Sequence, residues 1–227
     1  MKPKRIILIG AGGLTTHLVH ALTNIAPTHI FDGDKYEEKN ITRQHYANGN
    51  IGKNKAEVIA ETVAPWAKNE VTFDPTYLNE KSICEGDLLI VAVDNNDARI
   101  TAKQFSDQLY VPMIMGMNEE YDPQAYLYLP KFKDSLLDPF VYANIKPDGR
   151  DPSRACTGEI GESAEANVQT ALANTVAAGF VLAILHSLMN TSFEHEEHVT
   201  AKVIGNNNTI FTKTFYQLEQ DSQSTDV

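Results

Sequence analysis

The chain has 227 residues, of which 42% are hydrophobic and 22% are charged, so it is predicted to fold as one large globular domain with a sizeable core. Its net charge of -11 at pH 7 argues against nucleic acid and against a membrane surface as partners, because nothing would offset the repulsion of phosphate. Two cysteines are too few for a zinc site made of cysteine alone, and no signal-peptide pattern opens the chain, so a cytoplasmic location is expected.

A strand that runs into a glycine-rich turn organises the N-terminal half. The apolar, β-branched residues 5–9 predict a buried strand, and residues 10–13, Gly-Ala-Gly-Gly, follow directly. Apolar residues at helical spacing then predict a helix from Leu14 to Ile25. Because the first N–H groups of a helix have no partner inside it, this turn is predicted to bind phosphate. The turn by itself does not distinguish NAD from ATP.

Strands and helices alternate along the next part of the chain. The further predicted strands are residues 28–31, 70–73, 87–93, 111–117 and 125–129. The predicted helices are residues 52–64, which Pro65 ends, and 96–109, capped by Asn96 or Asp97. This alternation predicts an α/β fold with a doubly wound, Rossmann-like, mostly parallel sheet. Ligands of such sheets bind at the carboxyl ends of the strands, so the glycine turn, Asp32 and Asp94 are expected at one edge.

The C-terminal part is predicted to contain a long loop, an apolar helix and a hairpin. Residues 130–165 have recurrent prolines and no sustained period, which is typical of a long connecting loop. Residues 171–189 are nearly all apolar and long enough to span a bilayer, but polar residues such as Asn174 favour a helix buried in the fold. Residues 199–204 and 209–216 alternate about three asparagines and predict a β-hairpin.

Charged and amide side chains follow the second and fourth major strands in a recognisable order. Asp32-Gly33-Asp34 leads to Asn40-Ile41-Thr42-Arg43-Gln44, and Lys55 follows in the next helix. Asp94-Asn95, with Arg99 behind it, comes after the strand at 87–93. Together with the glycine turn, this set resembles the ubiquitin-activating family, which includes the bacterial ThiF/MoeB-type adenylyltransferases. The resemblance covers about residues 5–118 well and the apolar C-terminal helix loosely.

The resemblance implies an ATP site with magnesium. By it, Asp32 binds the ribose, Asn40 and Arg43 contact phosphates, Lys55 neutralises phosphate charge, and Asp94 holds Mg²⁺. The residues implied to bind the cofactor are Gly10, Gly12, Gly13, Asp32, Asp34, Asn40, Arg43, Gln44, Lys55, Asp94 and Asn95. The chemistry agrees, because adenylation develops charge on the α-phosphate, which two cations and a metal ion stabilise.

Each of these side chains also has an ordinary structural interpretation. Asp32 alone suits a turn, Asp94 suits a helix cap, and Arg43 and Lys55 suit a solvated surface. Arg99 is expected to support Asp94 or the sheet rather than to touch a ligand. The occurrence of all of them in family order favours the ATP site.

Cys156 is the fourth implied catalytic residue, beside Arg43, Lys55 and Asp94. It lies in the long loop, about where bacterial members of the family place a functional cysteine. A thiolate there would attack an acyl adenylate and form a thioester. An inert loop cysteine is an equally good interpretation.

The sequence departs from the family pattern in three respects. Thr15 stands where a third glycine is usual, so the first helix is expected to pack slightly farther from the sheet. Only four residues precede the first strand, so the arginine that many members supply from an N-terminal helix has no expected counterpart. The family's zinc cysteines are also missing.

The resemblance implies a single ThiF-like adenylation domain over residues 1–227. It comprises a nucleotide-binding half at 5–129, a crossover loop at 130–165, and a C-terminal helix and hairpin at 166–217. The implied function is ATP-dependent adenylation of the C-terminal carboxylate of a ubiquitin-like or sulfur-carrier protein, by a homodimer.

Three other functions stay open. One is activation of a small molecule, a peptide or a tRNA base within the same family. A second, from the glycine turn and Asp32, is an NAD-binding dehydrogenase or sensor. The third is a degenerate member that only binds partners.

Overall fold

One sheet forms the centre of the part of the chain that the computed structural model describes, which is residues 2–78, 82–119, 122–147, 171–190 and 200–202. Its strands are β1 (Arg5–Ile9), β2 (Thr28–Phe31), β3 (Val71–Asp74), β4 (Asp87–Val91), β5 (Met113–Glu119), β6 (Asp122–Tyr128) and β7 (Thr200–Lys202). Their order is β3-β2-β1-β4-β5-β6-β7. The first five in that order are parallel, and β6 runs antiparallel to both of its neighbours, β5 and β7. The predicted doubly wound, mostly parallel sheet is confirmed.

Helices cover both faces of this sheet. They are α1 (Gly13–Ile25), α2 (Lys55–Val63), α3 (Asn96–Leu109), α4 (Pro139–Tyr142) and α5 (Ala171–Asn190). Short 3₁₀ turns occur at Glu38–Asn40, Ala64–Trp66 and Pro130–Phe132. Helices α1, α2 and α5 pack in one core on one face, and α3 and α4 pack in a second core on the other.

Strand β1 explains why the sequence shows a continuous apolar run rather than an alternation. Ile6 and Leu8 point into the core beneath α1 and α5, while Ile7 and Ile9 point into the core beneath α3. All four side chains are buried. A central parallel strand has no solvent face, so every position must be apolar.

Helix boundaries differ from the predictions because asparagines cap the helices. Helix α2 begins at Lys55, not at residue 52, because Asn54 is its N-cap and accepts a hydrogen bond from Glu57 N–H at 3.0 Å. Helix α3 is capped by Asn95, whose Oδ1 accepts from Ala98 N–H at 2.7 Å, so the prediction of Asn96 or Asp97 as the cap was wrong.

Helix α5 lies within the fold, as its polar residues led us to expect. It packs against α1, β5 and β6, and its buried side chains include Phe180, Val181 and Leu185. Its length and hydropathy are those of a membrane span, and half of its most apolar 18-residue stretch is buried within the fold.

The C-terminal predictions are tested only in part. Strand β7 falls within the first predicted hairpin arm, and it pairs with β6 as the last strand of the main sheet. The second arm at 209–216 lies outside the described residues. The loop predicted over 130–165 contains the turn at Pro130–Phe132 and α4, and its part beyond residue 147 is also outside the described residues.

The turn after β1 is shaped by Gly10 and stabilised by Thr15. Gly10 has a positive φ of 93°, and a Cβ added there would lie 2.7 Å from the carbonyl oxygen of Ala92. Thr15 is fully buried, and its hydroxyl donates to the Gly10 carbonyl at 2.5 Å. The threonine at the usual glycine position therefore contributes a bond to the turn. The slightly wider helix packing expected from it stays a prediction.

Replacing Gly10 by alanine should destabilise the fold, whereas replacing Gly12 should not. Gly10→Ala introduces both a strained φ and a clash with backbone, at a cost of about 2–4 kcal/mol. Gly12 is the matched control, because its φ is -86° and a Cβ there meets no atom within 4 Å. Urea unfolding of both variants measures the difference, and equal stabilities would contradict this account of the turn.

Candidate active site

A cleft opens at the carboxyl ends of the central strands, where the chain reverses its direction of winding between β1 and β4. Of the residues predicted to bind the cofactor, those lining this cleft are Gly10, Gly12, Gly13, Asp32, Asp34, Arg43, Gln44, Lys55, Asp94 and Asn95. Asn40 does not line it. Cys156 lies outside the described residues. The fold thus gathers side chains that are far apart in sequence, as the strand-end rule predicts.

The Asp32 carboxylate accepts hydrogen bonds from the backbone of two segments, the glycine turn and the residues after β2. One carboxylate oxygen accepts from Ala11 N–H at 2.6 Å, and the other accepts from Asp34 N–H at 2.8 Å. Burial raises the pKa of Asp32 to about 6, and the nearby ammonium of Lys55 partly opposes that rise. The carboxylate links the glycine turn to the end of β2, and each oxygen keeps one lone pair for a further donor.

Lys55 is a buried cation held in place by an acidic partner. Its ammonium lies 3.0 Å from a carboxylate oxygen of Asp34, and only 4% of its side chain is exposed. The hydroxyl of Tyr77 donates to the other oxygen of Asp34 at 2.9 Å. Asn54 donates to the carbonyls of Asp32 and Asp34 at 2.8 and 3.1 Å. The position of the cation is thus set before any ligand binds.

Arg43 and Gln44 reach the cleft from a tight turn that Asn40 stabilises. The carbonyl of Asn40 accepts from the N–H groups of Arg43 and Gln44 at 3.1 and 2.9 Å. Its side-chain oxygen accepts from Glu37 N–H at 2.9 Å, which closes the turn. Asn40 therefore supports the turn, and the phosphate contact that the resemblance implied stays a prediction. Gln44 is buried, and its Oε1 accepts no hydrogen bond from the described residues.

Asp94 and Asn95 divide their roles at the end of β4. Asp94 lines the cleft with an exposed side chain, while Asn95 is buried and caps α3. Arg99 donates to the Val93 carbonyl and to Asn96 Oδ1, each at 2.7 Å, so it supports the end of the strand as expected.

Asp94 fits the implied magnesium ion. No group of three or more acidic, cysteine or histidine side chains that could hold a metal occurs among the described residues. Mg²⁺ with a nucleotide needs only one or two carboxylates, because phosphate oxygens and water supply the other ligands. A single accessible carboxylate in the same cleft as the glycine turn meets that requirement.

Sequence reasoning missed the apolar half of the cleft and one amide. Tyr77 and Leu78 line it together with Phe31 and Ile9, and Asn118 lines it from β5. Tyr77 and Leu78 follow the carboxyl end of β3, so the strand-end rule could have found them. Asn118 lies within a strand, where no sequence signal separates a cleft residue from an ordinary strand residue.

The sequence profile of the ThiF family matches residues 1–226. The chain belongs to the ThiF family. This confirms the family inferred from the ordered polar residues of the sequence. The adenylyltransferase and sulfurtransferase UBA4 of Yarrowia lipolytica is 38% identical to this ThiF-family chain in an alignment over 140 residues that covers 56% of this chain and 34% of UBA4.

Solved structures of similar fold belong to proteins with longer chains. MccB in complex with N-formylated MccA has a TM-score of 0.68 at 19% identity, covering 94% of this chain and 65% of MccB. E. coli MccB with ATP has a TM-score of 0.66 at 17% identity, and the match covers 94% of this chain and 63% of MccB. PaaA has a TM-score of 0.64 at 16% identity, and the match covers 95% of this chain and 65% of PaaA. The ThiF-family chain thus spans about a third of UBA4 and less than two thirds of MccB and PaaA.

The contribution of Asp32 to stability should fall as the pH rises from about 4 to 6. The pKa of Asp32 is about 6 in the fold, above the ordinary value of 3.8, so between these values the folded protein holds a proton that the unfolded chain has lost. The contribution of Asp32 to the free energy of unfolding should therefore decrease by about 3 kcal/mol over that interval and not change further above it.

Comparison with Asp32→Asn isolates this effect, because the variant has no carboxyl to titrate. Urea unfolding from pH 4 to 7 should show the wild type losing stability relative to Asp32→Asn. Asp74→Asn, at the same edge of the sheet, is the control and should run parallel to the wild type. If the difference in the free energy of unfolding between wild type and Asp32→Asn stayed constant from pH 4 to 7, the burial of a titrating carboxyl at Asp32 would be contradicted.

Proposed function

We propose that this ThiF-family protein binds Mg-ATP in the cleft and transfers the adenylyl group to a carboxylate. The observation that carries the proposal is the convergence of Arg43, Lys55 and Asp94 on the N-terminus of α1. Two cations, one accessible carboxylate and a helix N-terminus, whose first N–H groups have no partner inside the helix, together suit a nucleoside triphosphate with its metal. The description of UBA4 as an adenylyltransferase and the solved complex of MccB with ATP support it.

The residues that line the cleft suit the adenine, the ribose and the phosphates of a nucleotide. The apolar wall of Phe31, Tyr77 and Leu78 suits the adenine ring, which needs burial and stacking. The remaining lone pairs of Asp32 suit the ribose hydroxyls, which donate hydrogen bonds. The glycine turn and the N-terminus of α1 suit the phosphates. An ionised Asp32 is the better acceptor, so binding favours the deprotonated carboxylate.

The reaction is a displacement at the α-phosphorus. An oxygen of the substrate carboxylate forms a bond to that phosphorus, the bond to the bridging oxygen of the β-phosphate breaks, and pyrophosphate leaves with the electron pair. Arg43 and Lys55 offset the negative charge that develops on the phosphate oxygens. Asp94 would hold Mg²⁺, which would supply positive charge to offset that of the leaving pyrophosphate. Lys55 needs no reorganisation for this, because Asp34 already orients it.

We propose the C-terminal carboxylate of a ubiquitin-like or sulfur-carrier protein as the substrate, since UBA4 is described as both an adenylyltransferase and a sulfurtransferase. Activation of a peptide or small molecule is the second candidate, favoured by the fold shared with MccB and its solved complex with N-formylated MccA. A homodimer in the cytoplasm is the proposed working state. Transfer of the acyl group to Cys156 would form a thioester as AMP leaves.

Pyrophosphate exchange into ATP should require both a carboxylate substrate and the cleft residues. With Mg-ATP and a panel of ubiquitin-like and sulfur-carrier proteins, Arg43→Ala and Asp94→Ala should each lower the rate about 100-fold or more, because each removes charge stabilisation of the transition state. EDTA should abolish exchange. Mass spectrometry of the same mixtures detects the acyl adenylate and any adduct on Cys156.

Two surface variants are the matched controls for exchange. Glu61→Ala removes an exposed negative charge, as Asp94→Ala does, and Lys68→Ala removes an exposed positive charge, as Arg43→Ala does. Both positions lie away from the cleft, so both variants should keep wild-type rates. The adenylylation proposal fails if the protein neither binds ATP nor supports exchange with any partner in the panel.

Mg-ATP should stabilise the protein against heat, whereas NADH should not. A ligand that binds only the folded state adds about 2.7 kcal/mol to the free energy of unfolding at a hundredfold excess over its Kd. The melting temperature rises as a result. A thermal scan with each nucleotide checks this, with Asp94→Ala expected to lose most of the Mg-ATP response. Stabilisation by NADH alone would favour the dehydrogenase or sensor instead.

A further inference from the structure

We infer that Asn174 of α5 is a positioning residue, which holds the Arg43–Gln44 turn against the glycine turn and so sets where the cleft cation lies. The inference deepens the proposed function, and its activity readout rests on that function. Asn174 is 0% exposed in a helix whose other buried residues are apolar. A buried amide is stable only when its polar atoms are hydrogen-bonded, so its partners explain its presence.

The amide of Asn174 has partners on two other elements. Its Oδ1 accepts a hydrogen bond from the side-chain amide of Asn118 on β5. Its Nδ2 donates to the backbone carbonyl of Arg43 at 3.5 Å, across 131 positions of sequence. Asn118 itself lines the cleft. One side chain therefore connects α5, the cleft-facing end of β5 and the Arg43 turn.

Gly13 makes this convergence sterically tight. A Cβ added to Gly13 would overlap the Asn174 amide and would lie 3.0 Å from the Arg43 carbonyl oxygen. The first residue of α1, the Arg43 backbone and the Asn174 amide thus meet with no space between them. Any shift of the amide is passed to the turn that carries Arg43 and to the start of the helix that faces the phosphates.

The Arg43 turn is held by Asn40 and by contacts of its following residues with α1, and Asn174 adds a contact from α5 to the backbone of Arg43 itself. Asn40 accepts the N–H groups of Arg43 and Gln44, which ties the turn to the preceding 3₁₀ turn. Asn174 supplies a donor to the carbonyl of Arg43 and ties the turn to the core. Gln44, the next residue, is held with its Oε1 buried at the cleft and ready to accept a ligand donor. Asn174 acts through Arg43 and touches no substrate.

Substitution of Asn174 should impair catalysis through Arg43. In pyrophosphate exchange, Asn174→Ala should lower kcat/KM about 10- to 50-fold. Asn174→Asp should be at least as impaired, since a carboxylate can still accept from Asn118 but cannot donate to the Arg43 carbonyl. Asn190→Ala is the matched control, because Asn190 lies exposed at the end of the same helix and donates to His186. It should keep the wild-type rate.

A double variant separates a positioning role from a general effect on folding. If Asn174 acts through Arg43, Arg43→Ala with Asn174→Ala should be no slower than Arg43→Ala alone. If Asn174 only stabilises the fold, the two losses should multiply, and the inference is overturned. Asn174→Ser, with a small polar side chain, repeats the cycle should Asn174→Ala not fold.

Hydrogen exchange of the backbone gives a readout that needs no nucleotide. In Asn174→Ala, the amides of residues 43–47 should exchange at least tenfold faster than in wild type, while those of β1 and β4 should not change. Unchanged exchange at 43–47 would overturn the inference even if the protein adenylates. Faster exchange in a protein that binds no ATP would leave the positioning role intact and defeat only the proposed function.

Discussion

The buried carboxylate of Asp32 is the interaction on which the cleft depends. Its two oxygens accept from Ala11 N–H in the glycine turn and from Asp34 N–H beyond β2. These segments follow neighbouring strands, and the carboxylate fixes their spacing. Burial disfavours its charge, which Lys55 partly compensates. The site therefore combines a costly buried anion with a buried cation, and each makes the other tolerable.

A second consequence of this arrangement is that the charges are oriented before a ligand arrives. Lys55 is held by Asp34, which Tyr77 also contacts, so the pair loses little freedom on binding. Preorganised charge is what a reaction at phosphorus requires, because reorientation during the reaction would cost free energy. Asp94 differs, since its side chain is exposed to solvent, as the magnesium ion of the proposed function would require.

The helix α5 brings the C-terminal part of the chain into the same site. Its apolar surface packs on α1, β5 and β6, and this packing carries Asn174 to the Arg43 turn. Sequence reasoning identified the helix and noticed its polar residues, but it assigned Asn174 no partner. The contact joins residues 131 positions apart, and no local pattern encodes a distance of that kind.

Local signals in the sequence were sufficient to predict the described strands, helices α1, α2, α3 and α5 and the edge at which the cleft forms, but not helix α4 or the helix caps. Apolar runs mark strands buried on both faces, and the positions that follow them meet at one edge of a parallel sheet, which is why Asp32 and Asp94 could be assigned to it. The tertiary structure alone decided that Asn95 caps α3, that Asn40 supports a turn, and that Asn118 lines the cleft. The physical reason is that a hydrogen-bonding side chain takes whichever partner packing brings within about 3 Å, and residue type alone does not specify that partner.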